Sequence, residues 1–257
     1  MIFSENFKNN IKEFYFGESD TVNNQNAVDT INSWVDKKTF GKIPSIINSN
    51  DFYSAIINAL YFKANWANQF NEANTKKDIF TDRNNKKNEI DFMKRRGYYN
   101  YYKGDTYKII ELPYSSQNAI YNENGEFERY ETLKELSASM FIIMSDDKRL
   151  NFENLINNAE FTRTYVDLSI PKFKVEFESN LKDILKQIGI NKAFNDKSAD
   201  FSNMFENLTN NMFITDVFHK TYINVDENGT EAAAVTAVMI EATSAPPSEA
   251  VEFKADS

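Results

Sequence analysis

The sequence contains no cysteine and only one histidine, and these two shortages exclude several kinds of site. Without cysteine the chain forms no disulfide and offers no thiolate to a metal or a substrate. The single histidine, His219, is too few for a site with two histidine ligands, so we expect no metal. His219 lies in a strand-like run at 217–223 with no G-x-S-x-G motif elsewhere, which argues against a Ser-His-acid hydrolase.

Glycine and proline are also scarce, with seven and five residues, and the glycines never cluster. A P-loop and a dinucleotide-binding fingerprint both require closely spaced glycines, so we expect no nucleotide or other cofactor. The 38 acidic residues leave catalysis by a pair of carboxylates open, because a sequence does not show which carboxylates meet.

Long apolar runs and an excess of positive charge are absent as well. No run approaches the roughly 20 apolar residues that cross a bilayer, and the first residues lack the basic-then-apolar layout of a secretory signal. The net charge of -9 would repel a phosphate backbone, and the basic cluster Lys94-Arg95-Arg96 is too short to offset it. We therefore expect neither a membrane nor a nucleic acid as partner.

The apolar pattern predicts an α+β fold with a mostly antiparallel sheet, and 22 Phe and 13 Tyr are ample for its core. Helical spacing occurs at 4–13, 27–38 and 180–188, the last ended by Gly189. Strands are predicted at 52–62, 108–112, 139–144, 165–170, 173–177 and 217–225. The strand 52–62 is apolar on both faces and is predicted to be covered on both. Its polar residue Asn58 is either a satisfied buried amide or a polar pin where strands separate. The polar stretch 118–130 is predicted to be an inserted loop or hairpin.

The segment 226–247 is the most informative part of the chain. Its even-numbered positions from 230 to 240 are Thr, Ala, Ala, Thr, Val and Ile, whereas Glu231 and Glu241 fall on odd positions, as in a strand with one buried face. The alanines also favour a helix that Thr230 could cap. The residues alone therefore leave two alternatives, a segment that inserts into a sheet and an Ala-rich surface helix before the Pro246-Pro247 linker.

From Glu227 to Ala234 this segment resembles the hinge of inhibitory serpins, in which Glu-x-Gly-Thr-Glu-Ala-Ala-Ala precedes a bait bond. The resemblance extends over nearly the whole chain, from about residue 2 to 257. Further serpin motifs follow in the same order and spacing, at 31–35 (INSWV), 39–43 (TFGKI), 58–66 (NALYFKANW), 92–94 (FMK), 111–114 (ELPY), 170–173 (IPKF) and 185–190 leading to Phe194.

The resemblance implies one serpin domain over 1–257, with a large, mostly antiparallel central sheet, surrounding helices and smaller sheets. It implies a hinge and reactive loop at 226–247, whose hinge residues are Glu227, Gly229, Thr230, Glu231, Ala232, Ala233, Ala234 and Thr236. It places Asn58 and His219 at the shutter, where the sheet opens, and Trp66, Lys172 and Glu227 at the breach, where the loop enters. The reactive bond would lie between Thr243 and Ser244.

The resemblance also implies a function. A serpin offers its loop to a serine protease, or alternatively a cysteine protease, and traps the acyl-enzyme by inserting the cleaved loop as a new strand, so the chain would not be an enzyme. The small Thr243 favours an elastase-like or otherwise tolerant target protease. A non-inhibitory serpin with a carrier, chaperone or storage role is the alternative, against which stands the absence of proline and charge from 232 to 240.

Two further expectations concern the ends of the chain and its compartment. The family's amino-terminal helices have no counterpart before Ile2, and serpins continue past Ser257 through two buried strands, so we expect a serpin that is incomplete at both ends. Asn207 and Asn228 are in glycosylation sequons, and a glycan on Asn228 would hinder insertion. This favours an intracellular protein, with an exported one as the alternative.

Overall fold

The computed structural model describes residues 2–115, 117–121, 127–132, 138–145, 147, 151–206, 212–230 and 249–257. The chain forms two compact units. The first consists of Met1–Tyr61 and Val175–Tyr222, and the second of Phe62–Lys174 and Ile223–Ser257.

Both helices and strands are present, as the α+β prediction requires. The helices of the described residues are α1 (Glu5–Tyr15), α2 (Ala27–Lys38), α3 (Phe152–Asn158) and α4 (Lys182–Gln187). The strands are β1 (Ala55–Tyr61), β2 (Ala64–Asn65), β3 (Lys76–Thr81), β4 (Lys87–Lys103), β5 (Tyr107–Pro113), β6 (Gln117–Tyr121), β7 (Phe127–Thr132), β8 (Ser139–Ser145), β9 (Thr162–Pro171), β10 (Phe173–Asn180), β11 (Asp216–Val225), β12 (Gly229–Thr230) and β13 (Val251–Lys254).

In the first unit, helix α2 supplies the apolar side of a small core. Val35 is fully buried and packs with Ile43, Ile46 and Ile47, which follow the helix. The side chain of Asn32 fixes that following segment, because its Oδ1 accepts hydrogen bonds from the backbone N–H groups of Ile46 (2.9 Å) and Ile47 (3.1 Å). The polar residue within the helix therefore positions the apolar chain that covers it.

Strand β1 runs parallel to β11 in the first unit, and β10 pairs with β11 on its other side. The prediction that β1 is covered on both faces is wrong. Ile57 and Ala59 pack against the core of the unit, but Ile56 and Leu60 on the opposite face are 48% and 58% exposed. Apolar composition on both faces shows that a strand tolerates burial, but it does not show which chain supplies the cover.

The second unit is built on a six-stranded sheet in the order β13-β9-β4-β5-β8, with β3 also paired to β4. All these pairs are antiparallel except β13 with β9. Its core includes Met93, Ile110, Val166, Leu168 and Phe253, each with an exposed fraction of zero. Burial of each large apolar side chain in this cluster stabilises the unit by about 1.5–3 kcal/mol.

Two predicted elements have different bounds in the structure. Strands β6 and β7 pair as an antiparallel hairpin within the predicted polar excursion at 118–130 and extend beyond it. The helix predicted at 180–188 is shorter, because Asn180 still belongs to β10 and its Oδ1 accepts a hydrogen bond from the backbone N–H of Lys182 at 3.1 Å. Gly189 ends this helix with a positive φ of 104°.

Candidate functional site

The residues predicted for the breach lie in the second unit around the carboxylate of Glu227. Lys172 Nζ lies 2.7 Å from Glu227 Oε2, and Thr75 Oγ1 donates a hydrogen bond of 2.6 Å to Glu227 Oε1. The Glu227 side chain is 4% exposed, whereas that of Lys172 is 38% exposed. A carboxylate that is withdrawn from water is therefore satisfied at both oxygens, once by a cation and once by a hydroxyl.

These contacts act on the ionisation of both partners. Burial alone would raise the pKa of Glu227, but the hydrogen bonds from Lys172 and Thr75 outweigh it, and the pKa lies below its ordinary value of 4.5. Burial would likewise lower the pKa of Lys172, but its contacts with Glu227 outweigh it, and the pKa lies above 10.5. The charged pair is therefore the stable form near neutral pH.

The third residue predicted for the breach, Trp66, binds the chain that flanks Glu227. Its indole Nε1 donates to the carbonyl oxygen of Asp226 at 2.9 Å, and its backbone N–H donates to the carbonyl of Asn228 at 2.9 Å. The indole also stacks on the ring of Tyr114, with centroids 4.7 Å apart and planes within 9°. The structure therefore places Trp66, Lys172 and Glu227 close together, and their role as a breach stays a prediction.

The predicted hinge begins at a tight turn between β11 and β12. Asp226 Oδ1 accepts hydrogen bonds from the backbone N–H groups of Asn228 (2.8 Å) and Gly229 (3.3 Å). Gly229 and Thr230 then pair with Asn65 and Ala64 of β2, while Thr230 also pairs with Val225. The first two residues after the turn thus lie as a short strand between β2 and the end of β11.

Thr230 is completely buried, with an exposed fraction of zero. Its Oγ1 forms a hydrogen bond of 2.8 Å with the hydroxyl of Tyr114. The pKa of Tyr114 is raised mainly by burial and is lowered in part by this hydrogen bond. The even-numbered face predicted to be buried along the hinge is therefore buried at its first position.

The two residues predicted for the shutter, Asn58 and His219, are in contact within the first unit. Asn58 and His219 are directly opposite each other in the parallel register of β1 and β11. His219 Nδ1 donates a hydrogen bond to Asn58 Oδ1 at 2.9 Å. Phe177 of β10 lies beside the imidazole, with ring centroids 6.1 Å apart. The pair joins two strands by a side-chain contact on the same face as the exposed Ile56 and Leu60.

The rest of the predicted site lies outside the described residues. This applies to the hinge residues Glu231, Ala232, Ala233, Ala234 and Thr236 and to the reactive bond between Thr243 and Ser244. In the part of the chain that is described, no group of three or more His, Asp or Glu side chains is placed to hold a metal ion. None of the helices there has the length and apolar character of a membrane span.

Two residues that contact the predicted site were not identified from the sequence. Thr75 has no motif around it, and its contact with Glu227 joins residues 152 positions apart. Tyr114 ends one of the serpin motifs, which was a usable signal, but its hydroxyl meets Thr230 across 116 positions. Each forms a hydrogen bond with a buried side-chain oxygen, of Glu227 or of Thr230, and only the folded chain brings such distant partners together.

The family comparison identifies the chain. The model of the serpin family, described as serine protease inhibitors, matches residues 1–257. The chain therefore belongs to the serpin family. It is 34% identical to an uncharacterized serpin-like protein of Thermococcus kodakarensis, over 90% of this chain and 52% of that protein. It is 30% identical to human Serpin B4, over 95% of this chain and 62% of that protein.

Solved structures give the same fold. Tengpin, a thermophilic serpin in its native state, has a TM-score of 0.74 with 28% identity, and the match covers 99% of this chain and 64% of tengpin. Serpin48 of the insect Tenebrio molitor has a TM-score of 0.72 with 26% identity, over 99% of this chain and 66% of that chain. The chain therefore spans between about half and two-thirds of the length of these relatives.

Proposed function

We propose that the protein carrying this chain is not an enzyme but an inhibitor of serine proteases. It would inhibit them by inserting its cleaved reactive loop as a new strand. The observation that carries the proposal is the strand β12, in which Gly229 and Thr230 are already paired between β2 and β11. A loop that continues from Thr230 in the same direction would extend a strand that has already begun, rather than form one anew.

The side chains of the loop suit this extension. If the alternation that starts at Thr230 continues, the small residues Ala232 and Ala234 and the apolar Val238 and Ile240 occupy the buried face. Burying the two larger ones would contribute about 1.5–3 kcal/mol each, and each new backbone hydrogen bond about 1 kcal/mol. Over about a dozen residues, insertion would then stabilise the cleaved state enough to hold a covalent intermediate.

The protease specificity is proposed from the reactive bond. Thr243 has a short, β-branched side chain without charge, so it fits an elastase-like or otherwise tolerant pocket and not a pocket for lysine or arginine. Thr243→Arg is expected to shift inhibition towards trypsin-like proteases. Mass spectrometry of the released peptide should place cleavage after residue 243, and cleavage after Met239 or Ala242 in the parent protein would contradict this position.

The central experiment incubates the natural protein, expressed from its complete gene, with elastase, chymotrypsin and trypsin. An inhibitor should give a covalent complex that survives denaturing gel electrophoresis and equals the sum of the two masses, less the released peptide. Cleavage of the loop by each protease without such a complex would contradict the proposal and favour a non-inhibitory serpin.

A matched pair of variants tests the insertion register. Ala234→Glu puts a charge on the face that must be buried, so it should convert the inhibitor into a cleaved substrate. Ala233→Glu puts the same charge on the opposite face and should leave complex formation nearly unchanged. Equal complex formation by the two variants would contradict the register that begins at Thr230.

A further inference from the structure

The dipeptide Asn228-Gly229 lies at the end of the turn between β11 and β12. An asparagine before a glycine is prone to deamidation, because glycine has no Cβ to hinder the attack of its backbone nitrogen. The attack joins Gly229 N to Asn228 Cγ, and the side-chain amide leaves as ammonia together with the proton of that nitrogen. Water then opens the resulting succinimide ring to aspartate or isoaspartate. One water is consumed and one ammonia is released, without oxidation or reduction.

The peptide group between Asn228 and Gly229 is held at both of its polar atoms. The carbonyl oxygen of Asn228 accepts a hydrogen bond from the backbone N–H of Trp66 at 2.9 Å. The N–H of Gly229 donates to Asp226 Oδ1 at 3.3 Å. Because the peptide group is planar and rigid, a rotation that would free its nitrogen weakens both of these bonds.

Asp226 also acts on the proton that must leave. Gly229 N attacks only after it loses its proton, and this proton is the one that Asp226 Oδ1 accepts. Loss of the proton would place a negatively charged nitrogen against a carboxylate, and the repulsion between them disfavours that reactive form. The same Oδ1 accepts the backbone N–H of Asn228 at 2.8 Å, which keeps the carboxylate in place.

The strand that follows the dipeptide is closely packed. Gly229 is buried and pairs with Asn65 of β2. A Cβ added to Gly229 would lie 2.2 Å from the carbonyl oxygen of Ala64, so the two backbones are nearly in contact. A succinimide ring at Gly229 N would change the direction in which the chain enters β12, and this contact opposes that change.

We propose that Asn228 is a deamidation site that the folded turn keeps closed, with Asp226 as the residue that protects it. The reaction would proceed when the turn opens, because both hydrogen bonds to the peptide group are then lost. Isoaspartate would add one carbon to the main chain just before Gly229 and Thr230 and shift both out of register with β2. The site is independent of the proposed inhibitory function, because it requires neither loop cleavage nor a protease.

The rate of deamidation measures this protection directly. The chain is incubated in mildly alkaline buffer with and without guanidinium chloride, and each asparagine is followed by peptide mass spectrometry. In buffer, Asn228 should convert at least about tenfold more slowly than in denaturant, since two hydrogen bonds must first break. The other Asn-Gly pair, Asn124-Gly125, also follows a glutamate, so in denaturant the two pairs should convert at similar rates.

Variants identify the protecting carboxylate. Asp226→Ala removes both the acceptor and its negative charge, so it should speed the conversion of Asn228 in buffer about tenfold. The matched control is Asp82→Ala, because Asp82 Oδ1 likewise accepts two backbone N–H groups, of Asn84 (2.8 Å) and Lys86 (3.0 Å), in the turn between β3 and β4. This control should convert as the parent does, and in denaturant all three proteins should be alike.

Three outcomes would overturn the proposal. Equal rates for Asn228 in buffer and in denaturant would show that the folded turn gives no protection. Equal acceleration in Asp82→Ala would show a general loosening of the unit, and an unchanged rate in Asp226→Ala would remove the role of the carboxylate. If Asp226→Ala does not fold, as judged by circular dichroism, Asp226→Ser replaces it and should still speed the reaction, because a hydroxyl carries no negative charge.

Discussion

Replacing Gly229 by alanine tests how closely the base of the hinge is packed. An added Cβ at this position would lie 2.2 Å from the carbonyl oxygen of Ala64 and 2.7 Å from the Cα of Asn65. Ordinary contacts are near 3.5 Å, so the backbone of β12 or β2 would have to move by about 1 Å. That displacement would strain the pairing of Gly229 with Asn65 and the hydrogen bond between Thr230 and Tyr114.

The expected cost follows from these contacts. Overpacking costs about 1–3 kcal/mol, and weakening one or two hydrogen bonds adds about 1 kcal/mol each. We therefore expect Gly229→Ala to lower the free energy of unfolding of the second unit by about 3 kcal/mol. Urea unfolding followed by Trp66 fluorescence in a Trp34→Phe background should show the midpoint fall by about 1 M, with a slope of about 3 kcal/mol/M.

Gly97→Ala is the matched control for this experiment. An added Cβ there would meet Arg95 Nη2 at 3.5 Å and Tyr99 Cε2 at 3.6 Å, which are ordinary contacts. We expect its free energy of unfolding to stay within about 0.5 kcal/mol of the parent. Equal unfolding midpoints for Gly229→Ala and the parent would refute the close approach of β12 to β2.

Three further predictions concern individual hydrogen bonds. In the folded protein the pKa of Glu227 lies below its ordinary value of 4.5. The ionised carboxylate therefore stabilises the fold at pH values above 4.5, and this stabilisation is lost as the pH falls through the folded pKa. Glu227→Gln should cost about 1 kcal/mol in urea unfolding at pH 7 and clearly less at pH 3. Tyr114→Phe should cost about 1–2 kcal/mol because the buried Thr230 hydroxyl loses its partner. The double mutant with Thr230→Val should lose clearly less stability than the sum of the two single mutants, and additive losses would contradict the contact. Asn58→Leu should cost less than about 1 kcal/mol in thermal unfolding, because Asn58 is exposed and water can replace it on His219; a larger loss would contradict this account.

The fold could be predicted from the sequence where the apolar pattern is regular. Strands β5, β8, β9 and β11 occur at the predicted places, with ends that differ by a few residues. Strand β4 was not predicted as a strand, because Lys94-Arg95-Arg96 interrupts its pattern in the middle of 17 residues. Its backbone nevertheless pairs with β9 from Phe92 to Tyr101. Pairing between distant segments decided the structure there, and local propensity did not.

The candidate site divides in the same way. A motif shared with a family identified Glu227, because the motif depends on residues that are adjacent in sequence. The partners that satisfy its carboxylate, such as Thr75, come from distant parts of the chain, and only the folded structure shows them. The same limit explains the error at β1, where the residues show apolar faces and the cover over one of them is a matter of tertiary structure.

The exposed face of β1 has a consequence for how this chain behaves in solution. Ile56 and Leu60 present apolar surface to water, and this surface favours association. Electrostatic repulsion between molecules that each carry a net charge of -9 opposes that association. Dissolved ions shorten the range of that repulsion to about 8 Å at 0.15 M, and sulfate also strengthens apolar attraction. Colloidal stability should therefore be greatest in dilute buffer, and salting out with ammonium sulfate should begin at low concentrations.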